Sequence, residues 1–283
     1  MQRAVLATVA LLAVHPPVAW AQRLCTPTSD SHEAQLFAAL AVPLAYATAQ
    51  APDRPAPGTV RVALEATYLP NIDATTRTPT QCRPGKGPEH TDQLFAFPRP
   101  RAIIGLPAGF TAEASWIPPI RLNGVKSNLV GLSVARGFPV GAGGTALTLR
   151  AHGTFGVIRA PITCPDEELA NPASECYQGT RSDDHYHPTT FGLEGVLGWS
   201  LGQGRVRPFM GAGVNLLRPR FQVNFTNQLG ELDDTRVVVN STRGALFGGA
   251  TWAAARVLGV SGEIYGAPGD AVTGRVMASY AIR

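Results

Sequence analysis

The chain has 283 residues, and only 16 % of them are charged, against about 25 % in ordinary soluble domains. Its 30 glycines and 24 prolines favour short strands joined by turns over a helical bundle. A mean hydropathy of +0.03 excludes a polytopic helical membrane protein and a highly charged disordered chain. The net charge of +4 comes almost wholly from arginines that occur singly, which argues against nucleic acid as a partner.

The first residues have the pattern of a secretory signal sequence. Arg3 supplies the positive start, residues 4–14 are an apolar run, and Ala19-Trp20-Ala21 form a cleavage motif, so the mature chain is expected to begin at Gln22. The apolar run is too short to cross a bilayer core of about 30 Å as a helix. We therefore predict three regions: a signal sequence at 1–21, a helix with a proline-rich linker at 22–58, and a strand-rich domain at 59–283.

A single helix is predicted before the strands begin. Ser29-Asp30-Ser31 offer N-capping oxygens, and the residues that follow predict a helix over 31–49, with Pro43 as a defect inside it. This helix is expected either outside the sheet or in its lumen. Ten strands follow, most of them as long as a tilted membrane-spanning strand of roughly 9–11 residues. Their predicted ranges are 59–69, 101–107, 110–118, 126–137, 145–159, 189–201, 205–222, 236–252, 257–266 and 272–283.

The lengths of the connections between these strands are sorted. Taken in order, the second, fourth, sixth and eighth connections are short, whereas the long ones, the first, fifth and seventh, are all odd-numbered. In an up-and-down sheet the odd connections share one end. Long loops therefore gather at one end and short turns at the other, which is typical of membrane-spanning β-barrels.

The predicted strands alternate between an apolar and a polar face. In the fifth strand, Leu147, Leu149 and Phe155 share one face, and Arg150 and His152 share the other. If the apolar face meets lipid, the charged side chains point inward, where ions are tolerated when they are paired. A salt-bridged lumen with one linked charge network is therefore expected. Its predicted members are Arg61, Glu65, Glu113, Arg150, His152, Glu194, Arg207, Arg243, Glu263 and Arg275.

Over 59–283 the chain resembles small bacterial outer-membrane β-barrels, the broad OmpA-like, OmpW-like and opacity-type group. The resemblance is carried by the alternation, the sorted loops and a last strand in which Val276, Ala278, Tyr280 and Ile282 share a face. It implies an all-β, up-and-down antiparallel transmembrane barrel of ten strands, with eight as the alternative, after one short N-terminal helix. It further implies an outer-membrane location, with outer-membrane lipid and the barrel-assembly machinery as partners.

The expected function is that of a non-enzymatic barrel without cofactors, either structural or a narrow passive conduit for a small solute. Two alternatives belong to other classes: a lipid-modifying outer-membrane enzyme, and a soluble exported β-sheet binding domain whose water-facing side carries the same charges. The enzyme would need a set such as His152 with Glu113 or Glu194 and the hydroxyl of Thr154. A structural interior network explains the same residues.

Four cysteines can pair in an exported protein. Cys164 and Cys176 lie twelve residues apart inside the fifth connection, where a disulfide would close a local loop. Cys25 and Cys82 then pair by elimination, although the topology places them at opposite ends of the barrel. Their bond forms only if the predicted helix threads the lumen or if the first strand is misplaced.

The most ligand-rich segment is formed by Asp183, His185 and His187. Two histidines in alternate positions beside a carboxylate are a weak candidate for a divalent-metal site. They lie at the end of a long loop, where polar residues are expected in any case, so no metal is predicted.

Overall fold

Ten strands close into a barrel in the computed structural model, which describes residues 23–141, 144–201 and 203–282. The strands, numbered β1–β10 in chain order, are Val60–Tyr68, Ala96–Gly105, Phe110–Ile117, Val125–Val140, Thr145–Ala160, Thr190–Gly198, Val206–Leu217, Ser241–Ala253, Leu258–Ala267 and Ala271–Ala281. Each strand pairs antiparallel with the next, and β10 pairs with β1, so the ladder closes. The predicted ten-stranded barrel is confirmed. The predicted signal sequence lies outside the described residues.

The outer face of the barrel is apolar. On β1, Val62 and Leu64 point outward and are 44 % and 57 % exposed, while Ala63 and Glu65 point inward and are buried. The same period-two pattern recurs around the barrel, as at Leu193 on β6, which is 68 % exposed. A water-soluble sheet would bury these side chains, so this continuous apolar face contradicts the soluble alternative.

The connections are sorted by length between the two ends, as the sequence predicts. The long ones, 69–95, 161–189 and 218–240, lie at one end, which we call the long-loop end. At the other, the short-turn end, lie 106–109, 141–144, 199–205 and 254–257. Short elements outside the barrel ladder are helix α2 at Ala74–Arg77, 3-10 turns at Pro107–Gly109 and Glu168–Ala170, and strands Arg121–Leu122, Phe225–Thr226 and Leu232–Asp233.

Three strands differ from the prediction. β2 begins at Ala96, whereas the prediction starts it at residue 101. The prediction is late because Pro98 and Pro100 are typical of a loop, although both lie in the strand and face outward. The predicted strands 205–222 and 236–252 are each interrupted, since the chain leaves the barrel ladder beside Leu217 and Ser241. Their outer parts belong to a small sheet that continues from the edge of β5.

That small sheet extends the barrel at the long-loop end, and we call it the extension sheet. Its strands, in order from the edge of β5, are Asp184–His187, Arg220–Gln222, Arg236–Val238 and Leu24–Cys25. Its inner face carries Tyr186, Phe221 and Val237, which pack around Phe37. The Phe37 ring centroid lies 5.9 Å from that of Tyr186 and 5.7 Å from that of Phe221. The main apolar core therefore sits at the mouth of the barrel.

The N-terminal segment fills the lumen. Helix α1, His32–Leu44, begins after Ser31, whose Oγ accepts from the Ala34 N–H at 3.1 Å. The helix ends at Leu44 and not at residue 49, because Pro43 cannot donate a helical hydrogen bond and the chain from Ala45 is extended. Residues 45–53 continue to the short-turn end, and we call residues 32–53 the plug. Within the described ranges, no helix is long and apolar enough to cross a membrane.

Both predicted disulfides, Cys25–Cys82 and Cys164–Cys176, are present. Cys25 lies in the extension sheet at the long-loop end, whereas topology alone placed it at the short-turn end. The Cys25–Cys82 bond forms because the N-terminal segment threads the lumen, and not because the first strand is misplaced. The bond fixes the start of the N-terminal segment to the first long connection.

Candidate functional site: the occupied lumen

Eight charged side chains meet in the middle of the lumen, and we call them the ion cluster. They are Glu65, Glu113, Glu194 and Glu263 with Arg99, Arg101, Arg150 and Arg275. Each points inward because it lies at the parity opposite to the apolar face of its strand. None is more than 6 % exposed. With four carboxylates and four guanidinium groups, the cluster is balanced, as a buried set of ions must be.

Ion pairs join all eight residues into one network. Glu65 contacts Arg101 directly and lies 3.6 Å from Arg99. The other nitrogen–oxygen distances are 2.8 Å for Arg275–Glu263, 3.9 Å for Arg275–Glu65, 3.4 Å for Arg101–Glu113, 3.7 Å for Arg150–Glu113 and 3.0 Å for Arg150–Glu194. Because every member shares a partner with another member, removing one leaves an uncompensated buried charge.

The four arginines also bind the backbone of the plug. Their guanidinium N–H groups donate to the carbonyl oxygens of seven consecutive residues, 42–48. Arg150 reaches the carbonyl of Tyr46 at 2.5 Å, and Arg101 reaches that of Ala47 at 2.9 Å. The last turn of a helix and an extended chain leave carbonyl groups without partners of their own. The arginines supply these partners at a depth where water is scarce.

The wall of the barrel binds the amide hydrogens of the plug as well. The Ala49 N–H donates to Glu263 at 3.0 Å, and the Ala51 N–H donates to the Thr251 hydroxyl at 2.8 Å. Near the top of the same path, the Thr154 hydroxyl donates to the Leu44 carbonyl at 3.0 Å. The extended part of the plug is therefore held from several sides, in the way that irregular backbone at membrane depth is tolerated.

Tyr46 occupies the centre of the cluster. Its ring centroid lies 4.3 Å from the guanidinium carbon of Arg101, 5.0 Å from that of Arg150 and 5.6 Å from that of Arg99, within the range of cation–π contacts. The Tyr46 ring packs against the barrel wall at Gly131, where a Cβ would lie 3.0 Å from the ring and 2.4 Å from the Ser115 hydroxyl. A glycine at this inward position makes room for the plug.

Little free volume remains between plug and wall at the level below Tyr46. A cavity lined by Thr48, Gln50, Arg150 and neighbouring residues measures about 30 Å³. That is room for one or two water molecules. Together with the contacts of residues 42–48, it indicates a filled lumen in the described part of the chain.

Three residues predicted for the network do not join the ion cluster. Arg61 and Arg207 bind Asp53 at the short-turn end, Arg207 at 3.7 Å. Arg243 pairs with Asp270 at 2.6 Å, at the long-loop end. All three point inward like the charged residues of the cluster, but they lie near the ends of their strands, whereas the cluster lies at mid-depth. The expectation of a single network is therefore wrong for them, because parity fixes the face of a strand and not the depth.

Two arginines of the cluster, Arg99 and Arg101, were absent from the predicted set. Both lie on β2: Arg99 is in the stretch that Pro98 and Pro100 make resemble a loop, and Arg101 is the first residue of the predicted strand 101–107. The alternation of Phe97, Arg99 and Arg101 on the inward face was the signal that could have found them. Asp53, which pairs with Arg61 and Arg207 at the lower end of the plug, is also missing from the predicted set, because it lies in the predicted linker.

The residues of the alternative catalytic set have other partners in the lumen. His152 lies 3.2 Å from Glu194 through Nε2, and its side chain is buried beside the cluster. The Thr154 hydroxyl is used by the Leu44 carbonyl. No hydroxyl among the described residues donates to or accepts from His152, so the arrangement lacks a nucleophile in contact with a base.

The metal candidate does not assemble in the structure. Asp183 and His185 lie 3.7 Å apart, but the His187 ring nitrogen Nδ1 contacts the carbonyl of Gly156 at 3.0 Å. Among the described residues, no three histidine, cysteine or acidic side chains are grouped to hold a metal ion.

The upper end of the plug is fixed by Glu33, in the first turn of α1. Its carboxylate accepts from the backbone N–H groups of Thr80, Gln81 and Cys82 at 2.9, 2.7 and 2.8 Å. Burial raises the pKa of Glu33, but the hydrogen bonds that its carboxylate accepts, from Cys82, Gln81 and Thr80 among others, together lower it by more, so the net shift is downward. With the Cys25–Cys82 disulfide, this contact ties the plug to the first long connection.

No protein-family model and no curated protein matches the sequence. Solved structures similar to this chain include Ail of Yersinia pestis (7 % identity, 80 % of this chain and 98 % of that chain, TM-score 0.29) and the Acinetobacter baumannii outer membrane protein Omp33 (8 %, 80 % and 98 %, TM-score 0.31). The translocator domain of the autotransporter NalP from Neisseria meningitidis is a third (11 %, 81 % and 90 %, TM-score 0.34). These TM-scores are low. The closed ladder and the exposed apolar face of the chain itself make it a barrel of the membrane-spanning type.

Proposed function

We propose that the protein is an outer-membrane barrel closed by its own N-terminal segment, with a structural role: it anchors the layer of long connections and the extension sheet at the outer surface. The observation that carries this proposal is the set of arginine hydrogen bonds to the carbonyls of residues 42–48. A conduit would keep these guanidinium groups free for water or solute, whereas here the plug uses them.

The membrane location is supported by the outward apolar face and by the sorted connections. The long-loop end faces the exterior, because the short turns of such barrels lie on the periplasmic side. Outer-membrane lipid is then the solvent of the apolar face. The barrel-assembly machinery is the partner that inserts it. Fractionation of cells tests the location: the protein should need detergent for release, and recovery in the soluble periplasmic fraction would overturn it.

A planar-bilayer measurement tests the closed lumen. The purified full chain, inserted into a lipid bilayer, should give no reproducible conductance steps. Folding of the barrel is followed independently by the heat-dependent change in electrophoretic mobility that closed barrels show. The absence of conductance is then not confused with a failure to fold and insert. Reproducible steps from the folded, disulfide-bonded protein would contradict the closed lumen and favour the narrow conduit.

The absence of enzymatic activity belongs to the same proposal. His152, Glu194 and Thr154 face the plug and are buried away from the lipid side of the wall. Incubation with phospholipids in mixed micelles should give no turnover above that of a denatured sample. Turnover that disappears in His152→Ala would favour the lipid-modifying enzyme.

A further inference from the structure

The outer face of the extension sheet is strongly basic. Arg220 and Gln222 point outward from one strand and Arg236 from the next, while Phe221 and Val237 between them point inward to the core. Arg218 is exposed just below this sheet, and its backbone N–H donates to the Thr189 carbonyl at 2.8 Å. The outward face therefore brings three arginines together above the end of the barrel wall.

These arginines surround a cleft that, among the described residues, is lined by no carboxylate. The cleft measures about 400 Å³, and its polar lining comes from His187, Thr189, Arg218, Arg220, Gln222 and Arg236. Within the described chain, none of the three arginines forms an ion pair within 4.0 Å; the nearby carboxylate of Asp183 pairs with Arg159 and His185 instead. The Arg236 guanidinium donates to the Gln222 side chain at 3.3 Å, and the Arg236 backbone N–H donates to the Arg23 carbonyl at 2.8 Å.

The charges in the cleft act on a neighbouring side chain. Burial lowers the pKa of His187, and the positive charges of Arg220 and Arg236 lower it further. Elsewhere in the molecule, buried or half-buried arginines such as Arg83 and Arg243 are paired with carboxylates. The cleft thus carries an excess of positive charge that the folded chain does not compensate.

The cleft lies directly above the apolar outer face. Leu217 and Thr190 form the last pair between β7 and β6, and their neighbours Leu216 and Phe191 are exposed on the outside, by 41 % and 44 %. With a rise of about 3.3 Å per residue along strands tilted by roughly 35–45°, Arg218 and Arg220 lie roughly 5–11 Å above Leu216. The headgroup layer begins where the hydrocarbon core ends and is roughly 5–7 Å thick on each side. The Arg218 backbone therefore lies at headgroup height, and Arg220 lies just above it, within reach of the headgroups by its long side chain.

We propose that this cleft binds the phosphate of a phosphorylated lipid in the outer leaflet, with the acyl chains lying on Phe191, Leu193 and Leu216. The inference rests on the proposed membrane location and adds a lipid class to it. Guanidinium groups suit phosphate because they form paired, charge-assisted hydrogen bonds. A zwitterionic lipid would bring its own cation into a cleft that already holds three.

Native mass spectrometry of the folded full chain tests the proposal. The protein is offered dioleoyl phosphatidic acid or dioleoyl phosphatidylcholine in mixed micelles, and inorganic phosphate in a third arm. We expect phosphatidic acid to be retained in preference to phosphatidylcholine. The variant Arg218→Gln/Arg220→Gln/Arg236→Gln should retain it about 100-fold more weakly, since each arginine near a lipid surface contributes about fivefold.

A matched control keeps the same change in net charge. Arg121, Arg205 and Arg256 are exposed, form no ion pair within the described chain and lie outside the cleft. The variant Arg121→Gln/Arg205→Gln/Arg256→Gln should bind phosphatidic acid like the parent. Equal loss in both triple variants would mean unspecific charge attraction and overturn the proposal.

Further outcomes separate the sources of phosphate. If inorganic phosphate displaces phosphatidic acid at similar concentration, the cleft holds an adventitious ion only, and the lipid assignment is wrong. If the cleft triple variant does not fold, the single variants Arg218→Gln and Arg220→Gln, both exposed, should each weaken retention about fivefold. Unchanged retention in both would overturn the proposal. Loss of lipid selectivity in an inserted barrel affects only this inference, whereas failure to associate with membranes defeats the proposed function.

Discussion

The phenol ring of Tyr46 lies against the guanidinium group of Arg101, with 4.3 Å between the ring centroid and the guanidinium carbon. Tyr46 belongs to the plug and Arg101 to the wall, so this contact joins the two parts of the protein at the middle of the lumen. Arg101 also binds Glu65 and donates to the Ala47 carbonyl. One guanidinium group thus satisfies a carboxylate, a backbone carbonyl and an aromatic ring, which explains how an arginine is stable there without water.

Removing a carboxylate from the ion cluster should destabilise the barrel strongly. Glu194→Ala would leave the buried His152 without its ion-pair partner, and would leave the buried Arg150 with Glu113 alone, at 3.7 Å. We expect the free energy of unfolding to fall by roughly 3–5 kcal/mol. Urea unfolding of the protein in detergent or lipid measures the change.

The control is Asp166→Ala, which removes the partner of Arg181 at 3.6 Å in a largely exposed pair. Its effect should be roughly 0–1 kcal/mol. A similarly small effect of Glu194→Ala would mean that the lumen is wet, and would contradict the filled lumen.

The plug should shield its own residues from reagents in water. Ala47 is fully buried in the lumen, and all four native cysteines are in disulfides. A cysteine introduced by Ala47→Cys should therefore not react with a water-soluble maleimide in the folded protein, and should react after unfolding. Leu229→Cys, at a position that is 76 % exposed in a long connection, should react at once. Rapid labelling of both would show that the plug leaves the lumen.

Substitution of the inward glycine beside Tyr46 should disturb the plug. In Gly131→Ala, the added Cβ meets the Ser115 hydroxyl at 2.4 Å and the Tyr46 ring at 3.0 Å. We expect a loss of roughly 1–3 kcal/mol, the usual cost of overpacking. Gly244→Ala is the control, because nothing lies within 4 Å of its Cβ position. Equal melting temperatures for the two variants would exclude a tight fit between ring and wall.

The contact of Glu33 with the first long connection should make stability depend on pH. The folded-state pKa of Glu33 lies below its ordinary value of 4.5, so its contribution is present above that pH and is lost as pH falls through the folded pKa. Glu33→Gln keeps the shape but removes the charge, and should cost roughly 1 kcal/mol at neutral pH. The difference in unfolding free energy between parent and variant should shrink below pH 4.5. A difference that is constant from pH 3 to 7 would exclude a role for the charge.

Much of the barrel could be predicted from alternation alone. Because side chains on a strand alternate strictly, the parity of Glu65, Glu113, Glu194 and Glu263 fixed their inward direction once the apolar face was assigned to lipid. The sorted connections gave the up-and-down order. The start of a strand is harder to predict, as at β2, where two prolines on the outward face conceal the beginning that carries Arg99 and leave Arg101 at the edge of the predicted strand.

The path of the plug could not be read from local pattern. A helix followed by a proline-rich stretch is compatible with a place outside the sheet, and its apolar residues do not reveal which surface they meet. The long-range evidence was the pair Cys25–Cys82, which topology placed at opposite ends and which only a threaded lumen could join without moving the first strand. The arginines bind backbone carbonyls of residues 42–48, which every residue type carries, so these hydrogen bonds could not be predicted from the sequence.

The threading of residues 45–53 changes the count of passages through the membrane. Ten strands, an even number, would return the chain to the side from which it entered β1; the plug adds one passage and makes the total odd. Residues near Arg23 and near Ile282 therefore lie on opposite faces of the membrane. A short epitope beside Arg23 should be stained on intact cells, and one beside Ile282 only after permeabilisation.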